Sequence, residues 1–479
     1  MTIVKLKLKE KLKEYYDLIY FFIIFIAIGL SLVYGQILEA NIGEFPMFMV
    51  FGGPLPLYAI ILIPILITLI YAFAIYIAYK NKLLELTRNG IIFISILVVM
   101  LIYMTFLIAF KDNSHLYGPN FIEYNVPSFN DRIFSIFTFY LSMLMIFAFY
   151  FLFKATKHLK LFLEIVLIGI ILFALSSVIY SLATEIDKYA YFIKNGGIID
   201  KGYNKDYWIK SFFGIGNVFG HTVYCGAITF LYLGYTIKKP WIGIFGLIFL
   251  PFALFSGSRA SLISLIIFYV IYLIYLNYEI YKENKKIGKI YFYLLFAVIL
   301  LFFLELFVFK NIRFEHDGNV VYLKDLIWMV FENMDETRFS IIRMIFKNAN
   351  FVDYIFGLGY GLQLIVPRTY GYYYYIHNTF VEYYATGGII FLLFILFLFS
   401  ISFKNAFCAC KVKPYVFGLF ISLIFSQIFY GMFESISIFI CNFFGGVFGM
   451  YIFLFPKIEI KSKRYYIREF CWFVIKHKD

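Results

Sequence analysis

The sequence predicts an all-α polytopic membrane protein of about 12 transmembrane helices, with a large, partly helical outer loop between helices 9 and 10. Three observations carry that expectation. Of 479 residues, 63% are hydrophobic and only 15% charged, far from the balance of a soluble domain. Apolar runs of about 18 residues or more recur along the chain, each long enough to cross hydrocarbon as a helix. Basic residues gather in the short segments that join alternate ends of these runs. The ten-residue alternation of a transmembrane barrel strand is absent.

In order, the runs lie near 18–37, 57–79, 90–110, 134–153, 161–183, 211–236, 240–256, 260–281, 290–309, 379–402, 414–432 and 435–455. The seventh is short, and glycines interrupt the sixth. The first 17 residues are basic and lead into a full span with no small-residue cleavage site, so no cleavable signal peptide is expected.

Orientation follows from Lys and Arg. The N-terminus and segments 80–89, 154–160, 237–239, 282–289, 403–413 and 456–479 hold 27 of the 42 basic residues. The first outer loop, 38–56, has none. This places the protein in the cytoplasmic (inner) membrane with both termini cytoplasmic. The chain then divides into spans 1–9 (1–309), a large extracytoplasmic loop (310–377), spans 10–12 (378–455) and a basic cytoplasmic tail (456–479). The +13 net charge is a topology signal and an attraction to anionic membrane lipid. With no binding module or soluble basic domain, nucleic acid is not an expected partner. Cys408, Cys410 and Cys471 fall in cytoplasmic segments and Cys225 and Cys441 inside spans, so no disulfide framework and no metal site are expected.

Four segments are candidates for chemistry, and loop charge alone puts all of them at the outer face. Phe255-Ser256-Gly257-Ser258-Arg259 forms the tip between spans seven and eight. Its arginine is either a snorkelling anchor or an anion ligand with small neighbours that leave room for approach. His377-Asn378-Thr379-Phe380-Val381-Glu382 opens span ten. There the positive helix end favours a neutral imidazole, so His377 is a general base or a polar residue at headgroup level. Gly387 and Gly388 follow, a small-residue face on which another helix could pack. The run 214–221, with Asn217 and His221, opens span six and is either a helix break lining a cavity or a close-packing face. In the outer loop, 337–348 has helical spacing and carries Arg338 and Arg343, and Gly357-Leu358-Gly359-Tyr360-Gly361 reads as a tight turn. Tyrosines 372–375 either stack on sugar rings or form an interfacial belt.

At HNTFVEYYATGG (377–388) the sequence resembles the O-antigen ligase and polymerase superfamily of membrane glycosyltransferases, in which nine residues separate a His-Asn pair from a glycine, here Gly388. It departs from that pattern at Ile389 and Ile390, where the family continues into Gly-x-x-Gly. GSRAS (257–261) resembles the family's short arginine motif, and TRFSII (337–342) followed by FGLGYG (356–361) is similar to its arginine helix before a glycine turn. Twelve spans with a large loop between nine and ten also fit.

The resemblance implies that a glycan passes from a polyprenyl-pyrophosphate carrier to an acceptor hydroxyl, with no metal, nucleotide or other cofactor. It assigns Arg259 and Arg338 to the pyrophosphate and His377 to activation of the acceptor. Arg343, Asn378, Glu382, Asn217 and His221 are expected to bind substrate, with Arg343 competing with Arg338 for the phosphate role. Implied partners are the lipid-linked donor, a glycan acceptor, membrane lipid, a chain-length regulator and a flippase. Pyrophosphate is a good leaving group that needs charge stabilisation, which arginine's forked donors supply. The sugar hydroxyl is a poor nucleophile that needs a base. Attack opposite the leaving lipid inverts the anomeric centre. The carboxylate pair of a glycosidase is not offered, since Glu382 and Glu434 are isolated.

A repeat-unit polymerase, a ligase to a lipid core and transfer to protein share this donor chemistry, and the Gly-Asn-Val-Phe-Gly-His segment looks most like polymerases. A lipid-linked glycan transporter is the rival from another class. Transporters keep charges near the midplane, whereas the mid-span carboxylates Glu164 and Glu305 can lie near span ends.

Overall fold

The structure is a computed structural model. It describes residues 15–32, 34, 57–81, 88–111, 129–152, 159–194, 209–213, 216–237, 240–256, 258–283, 293, 313–316, 319–322, 346, 349–359, 378–410 and 414–433. The first helix is α1 (Tyr15–Leu32). It is followed by α2 (Leu57–Lys80), α3 (Arg88–Phe110), α4 (Phe129–Phe147), α5 (Leu159–Thr184), α6 (Ile186–Lys194), α7 (Gly216–Thr236), α8 (Leu250–Phe255) and α9 (Arg259–Glu283). A hairpin of β1 (Arg313–His316) and β2 (Asn319–Tyr322) precedes α10 (Phe351–Phe356), α11 (Thr379–Cys410) and α12 (Pro414–Phe433).

Five of these helices are long and apolar enough to cross a membrane, over Tyr15–Leu32, Ile61–Lys80, Gly90–Phe110, Glu164–Thr184 and Thr379–Lys404. The chain is therefore a largely helical, multi-pass membrane protein. Helix α3 shows the physics. Met100, Met104 and Leu107 are buried, while Val99, Ile102 and Phe106 on the other side are 62–66% exposed. Apolar side chains on both faces have no place in water, and the exposed stripe fits lipid. Along the helices, Ser31, Thr222, Thr229, Ser422 and Ser426 turn their hydroxyls onto carbonyls three or four residues back, so that each is satisfied without water. The expected spans 290–309 and 435–455 lie outside the described residues, Tyr293 excepted.

Two elements differ from the sequence reading. Arg313–His316 and Asn319–Tyr322 pair as an antiparallel hairpin, with Arg313 opposite Tyr322 and His316 opposite Asn319, where the sequence predicts only helix and turn. Asp317-Gly318 separates the strands, the dipeptide most suited to a two-residue hairpin turn. The short seventh span opens as a 3₁₀ helix, Pro240–Phe249, before α8. Three residues per turn align Pro240, Gly243, Gly246 and Phe249 in one stripe. A Cβ on Gly243 would strike Leu231 of α7, and one on Gly246 the Ala227 carbonyl and the Tyr269 hydroxyl. Three-residue periodicity sets both glycines directly in line on that face. At about 2.0 Å per residue the 3₁₀ turns also lengthen residues 240–256 to about 30 Å, against about 25 Å for an α-helix.

The chain divides into two units, Met1–Val166 with Ile345–Val412 and Ser435–Asp479, and Leu167–Met344 with Lys413–Glu434. In the first, the Tyr20 hydroxyl of α1 donates to the Leu152 carbonyl (2.8 Å), at the end of a π-helical turn, Ala148–Leu152, that continues α4. Arg132 of α4 donates to the Ile108 and Ala109 carbonyls (3.2 and 2.9 Å), satisfying the C-terminal end of α3. The Tyr150 hydroxyl lies 3.2 Å from Ser402 Oγ on α11. In the second unit α7 packs along the 3₁₀ stripe and α8, and α9 packs against α12. Tyr224 Oη lies 2.6 Å from Ser426 Oγ and accepts from Gln427 Nε2 at 3.1 Å.

Candidate functional site

In the first unit the candidate chemistry sits at the start of α11. Asn378 is its N-cap: Oδ1 accepts from the backbone N–H of Phe380 (3.1 Å) and Val381 (3.0 Å), two of the donors a helix start leaves unsatisfied. Glu382 is 2% exposed and Thr386 fully buried. With Asn378 they fall at four-residue spacing, so the three line one side of the first two turns. A carboxylate buried in a membrane helix persists only where protein groups compensate its charge, which marks Glu382 as a functional candidate.

The helix then breaks. Gly387 (φ −129°, ψ 19°) and Gly388 (φ 62°, ψ −162°) are non-helical. The sequence predicts these glycines to be a face on which another helix packs. Instead they admit a backbone strap, 349–359. Leu358 N–H donates to the Ala385 carbonyl (2.6 Å) and Gly359 N–H to the Thr386 carbonyl (3.0 Å), replacing bonds the break removed. A Cβ on Gly357 would lie 2.6 Å from Gly387 Cα, so main chain meets main chain. The strap itself is ordered by α10, whose Asn350 and Asp353 form a reciprocal capping box. Asp353 Oδ2 accepts from Asn350 N–H (2.9 Å), and Oδ1 pairs with Lys111 Nζ (2.6 Å) just past α3. The Tyr103 hydroxyl of α3 donates between the Phe356 carbonyl (2.8 Å) and the Gly387 carbonyl (3.1 Å). Phe346 and Tyr354 stack on each other and pack, tilted, against Tyr384 of α11, ring centroids 5.7–6.3 Å apart.

In the second unit two sequence candidates meet. Gly220 of α7 lies so close to the 256–261 hairpin that a Cβ there would come within 2.5 Å of Ser256 Oγ and 2.6 Å of Ser258 Cβ. Ser258 caps α9: its Oγ lies 2.7 Å from Ser261 Oγ and accepts from Ser261 N–H at 3.4 Å. Arg259 is the first residue of that helix. His221 is 4% exposed, with its ring 4.7 Å from that of Tyr430 and stacked near Tyr224. Its Nε2 lies 3.8 Å from Cys225 Sγ. Asn217 is half-buried one turn earlier.

A polar joint absent from the sequence reading ties the ends of the 184–210 loop. Glu185, between α5 and α6, accepts from Ser211 N–H (2.7 Å) and Lys210 N–H (3.1 Å) and pairs with Lys188 (2.6 Å). Ser211 takes φ 53° there and donates its hydroxyl to the Ser177 carbonyl (2.6 Å). Burial pushes the neighbouring Tyr189 hydroxyl up to about 12, with the Ser181 hydrogen bond pulling down and the Glu185 charge adding to the rise. Glu185→Ala strands two amides, and the expected loss is about 1–3 kcal/mol, read as a lower midpoint of thermal unfolding.

Of the residues chosen from sequence, Asn378 and Glu382 fall in the first unit, and Asn217, His221 and the backbone of Arg259 in the second. His377, Arg338 and Arg343 lie outside the described residues, as do the tyrosines 372–375. Among the described residues no group of three His, Cys, Asp or Glu side chains is placed to hold a metal ion. Compared with known proteins, the chain matches no family model, and no curated protein and no solved structure is similar to it.

Proposed function

We propose that this protein is an extracytoplasmic, inverting, metal-independent glycosyltransferase that polymerises polyprenyl-pyrophosphate-linked repeat units into a surface polysaccharide, O-antigen or capsule. The observation that supports this most is the junction in the first unit. The turn at Gly357 and Gly359 and the segment running from Asn378 to Gly388 are motifs of one resemblance, and they are hydrogen-bonded to each other although about twenty residues separate them. In this reading twelve spans carry the protein across the cytoplasmic membrane, both termini are cytoplasmic and 310–377 is outside. Arg259 and Arg338 neutralise the leaving pyrophosphate, His377 takes the acceptor's proton, and Arg343, Glu382, Asn217 and His221 hold sugar or phosphate. Asn378 shapes the helix start through its cap.

Purified protein given a defined lipid-linked repeat unit is expected to yield longer glycans on the same lipid, read by mass analysis. Transfer to a lipid core sugar instead identifies a ligase. Movement of the lipid-linked sugar across reconstituted vesicles with no bond formed identifies a transporter. Cysteines placed at positions 318 and 462 test sidedness: labelling of 462 from outside sealed cells overturns the topology.

A further inference from the structure

The geometry points to Tyr103, Lys111 and Asp353 as positioning residues, which set the direction of the first two turns of α11 by holding the 349–359 strap in the helix break. The inference rests on the glycosyl-transfer reading, because those turns carry Asn378 and Glu382 and directly follow His377.

A helix broken at two glycines has a soft joint, and the half before the break needs another element to fix its direction. Among the described residues, the strap supplies backbone bonds to that half and Tyr103 bridges strap and break. Two strap amides enter the Ala385 and Thr386 carbonyls, the last acceptors before the break. The strap in turn is anchored to α3 and not to α11 alone. One hydroxyl, Tyr103, reaches both sides of the joint, the Phe356 carbonyl on the strap and the Gly387 carbonyl in the break. The Lys111–Asp353 pair holds α10 at the end of α3, with side chains only 15% and 1% exposed. Gly359 rests on the same end of α3, where a Cβ would come within 2.6 Å of the Leu107 carbonyl oxygen. Since the second Asp353 oxygen serves the capping box, removing the ammonium of Lys111 leaves a buried carboxylate half-compensated and loosens the strap at its stiffest point.

None of the three residues is placed against substrate, so their loss should slow the reaction through misdirection of the helix start. A displacement on the order of 1 Å costs up to about a hundredfold in rate. The test combines two readouts on the full chain. Cysteines at positions 346 and 384, whose native ring centroids lie 5.7 Å apart, are bridged by a short bifunctional thiol reagent, with single-cysteine controls. Chain growth on the lipid-linked repeat gives kcat and KM. Lys111→Met and Tyr103→Phe are expected to lower the bridging yield and to reduce kcat about tenfold or more, with KM for the donor within about twofold. Lys111→Arg should restore both, because a single charge-assisted contact is what the pair requires. Reduced bridging with unchanged kcat overturns the positioning role and leaves a structural contact. Unchanged bridging in Lys111→Met overturns the claim that the ion pair holds the strap. If the unmodified protein makes no polymer while bridging falls as expected, the glycosyl-transfer reading fails and takes the positioning role with it, though the strap's anchorage stands.

Discussion

His377→Ala is expected to slow chain growth by roughly 10²–10⁴-fold, the contribution of a positioned base to attack by a poor oxygen nucleophile. Donor binding should change little, because the pyrophosphate is assigned to the arginines, so the loss falls on kcat. The rate should recover in part as pH rises, since a more readily ionised acceptor hydroxyl has less need of a base. Arg259→Ala and Arg338→Ala should behave differently. Each removes charge at the leaving group, which costs about a hundredfold with no recovery at high pH. Lysine should restore little, because an ammonium lacks the paired donors of guanidinium. Arg343→Ala should be the mildest of the three if Arg338 is the phosphate ligand, and the order reverses if it is not. Polymer of normal length and rate from His377→Ala would reduce that residue to the neighbour of a helix cap.

The helices were legible because a membrane leaves their apolar runs uninterrupted. The run 57–79 became Leu57–Lys80, 260–281 became Arg259–Glu283 and 414–432 became Pro414–Phe433. The sequence assigns Asn378 to substrate, whereas the structure makes it the cap of α11, a role that an Asn before a helical run could have signalled. The sequence shows that the seventh run is short, and does not show that it opens as a 3₁₀ helix. Gly243 and Gly246, three residues apart, share a face in either kind of helix, so their spacing leaves the winding open.

The strap was legible only in fragments. Asn350 and Asp353, three apart before apolar residues, are the sequence form of a capping box and could have placed α10. Lys111 and Tyr103 gave no such sign. A single lysine at the end of a span looks like an interfacial anchor, and a tyrosine inside one looks like lining, until a partner some 250 residues away is brought to it. Gly387 and Gly388 stand out in the sequence, but small residues in a membrane helix fit close packing and breakage equally well. What decides is the backbone conformation, which local sequence leaves open.

That conformation makes Gly388→Ala the most damaging small substitution expected in the described part of the protein. At φ 62° and ψ −162° the backbone lies in a region essentially reserved for glycine, and holding another residue there costs about 1–3 kcal/mol. The added Cβ would also run into the Ile355 carbonyl and lie 2.6 Å from Gly357 N, so the strap must retreat. Retreat strands the Ala385 and Thr386 carbonyls at membrane depth, each costing about 1–3 kcal/mol. The total expected loss is about 3 kcal/mol or more, measured as thermal unfolding of the purified protein with bridging at 346 and 384 followed in parallel. Gly169→Ala is the control: it lies in α5 with nothing within 4 Å of the added carbon, so it should leave stability unchanged or slightly raised. Gly357→Ala alone should be costly, because its φ is 76° and its Cβ would meet the same break. Added to Gly388→Ala it should cost little more, since a strap already displaced no longer makes the contact. Full additivity of the two substitutions would mean that they act separately, and wild-type stability in Gly388→Ala would mean that the strap does not dock in the break.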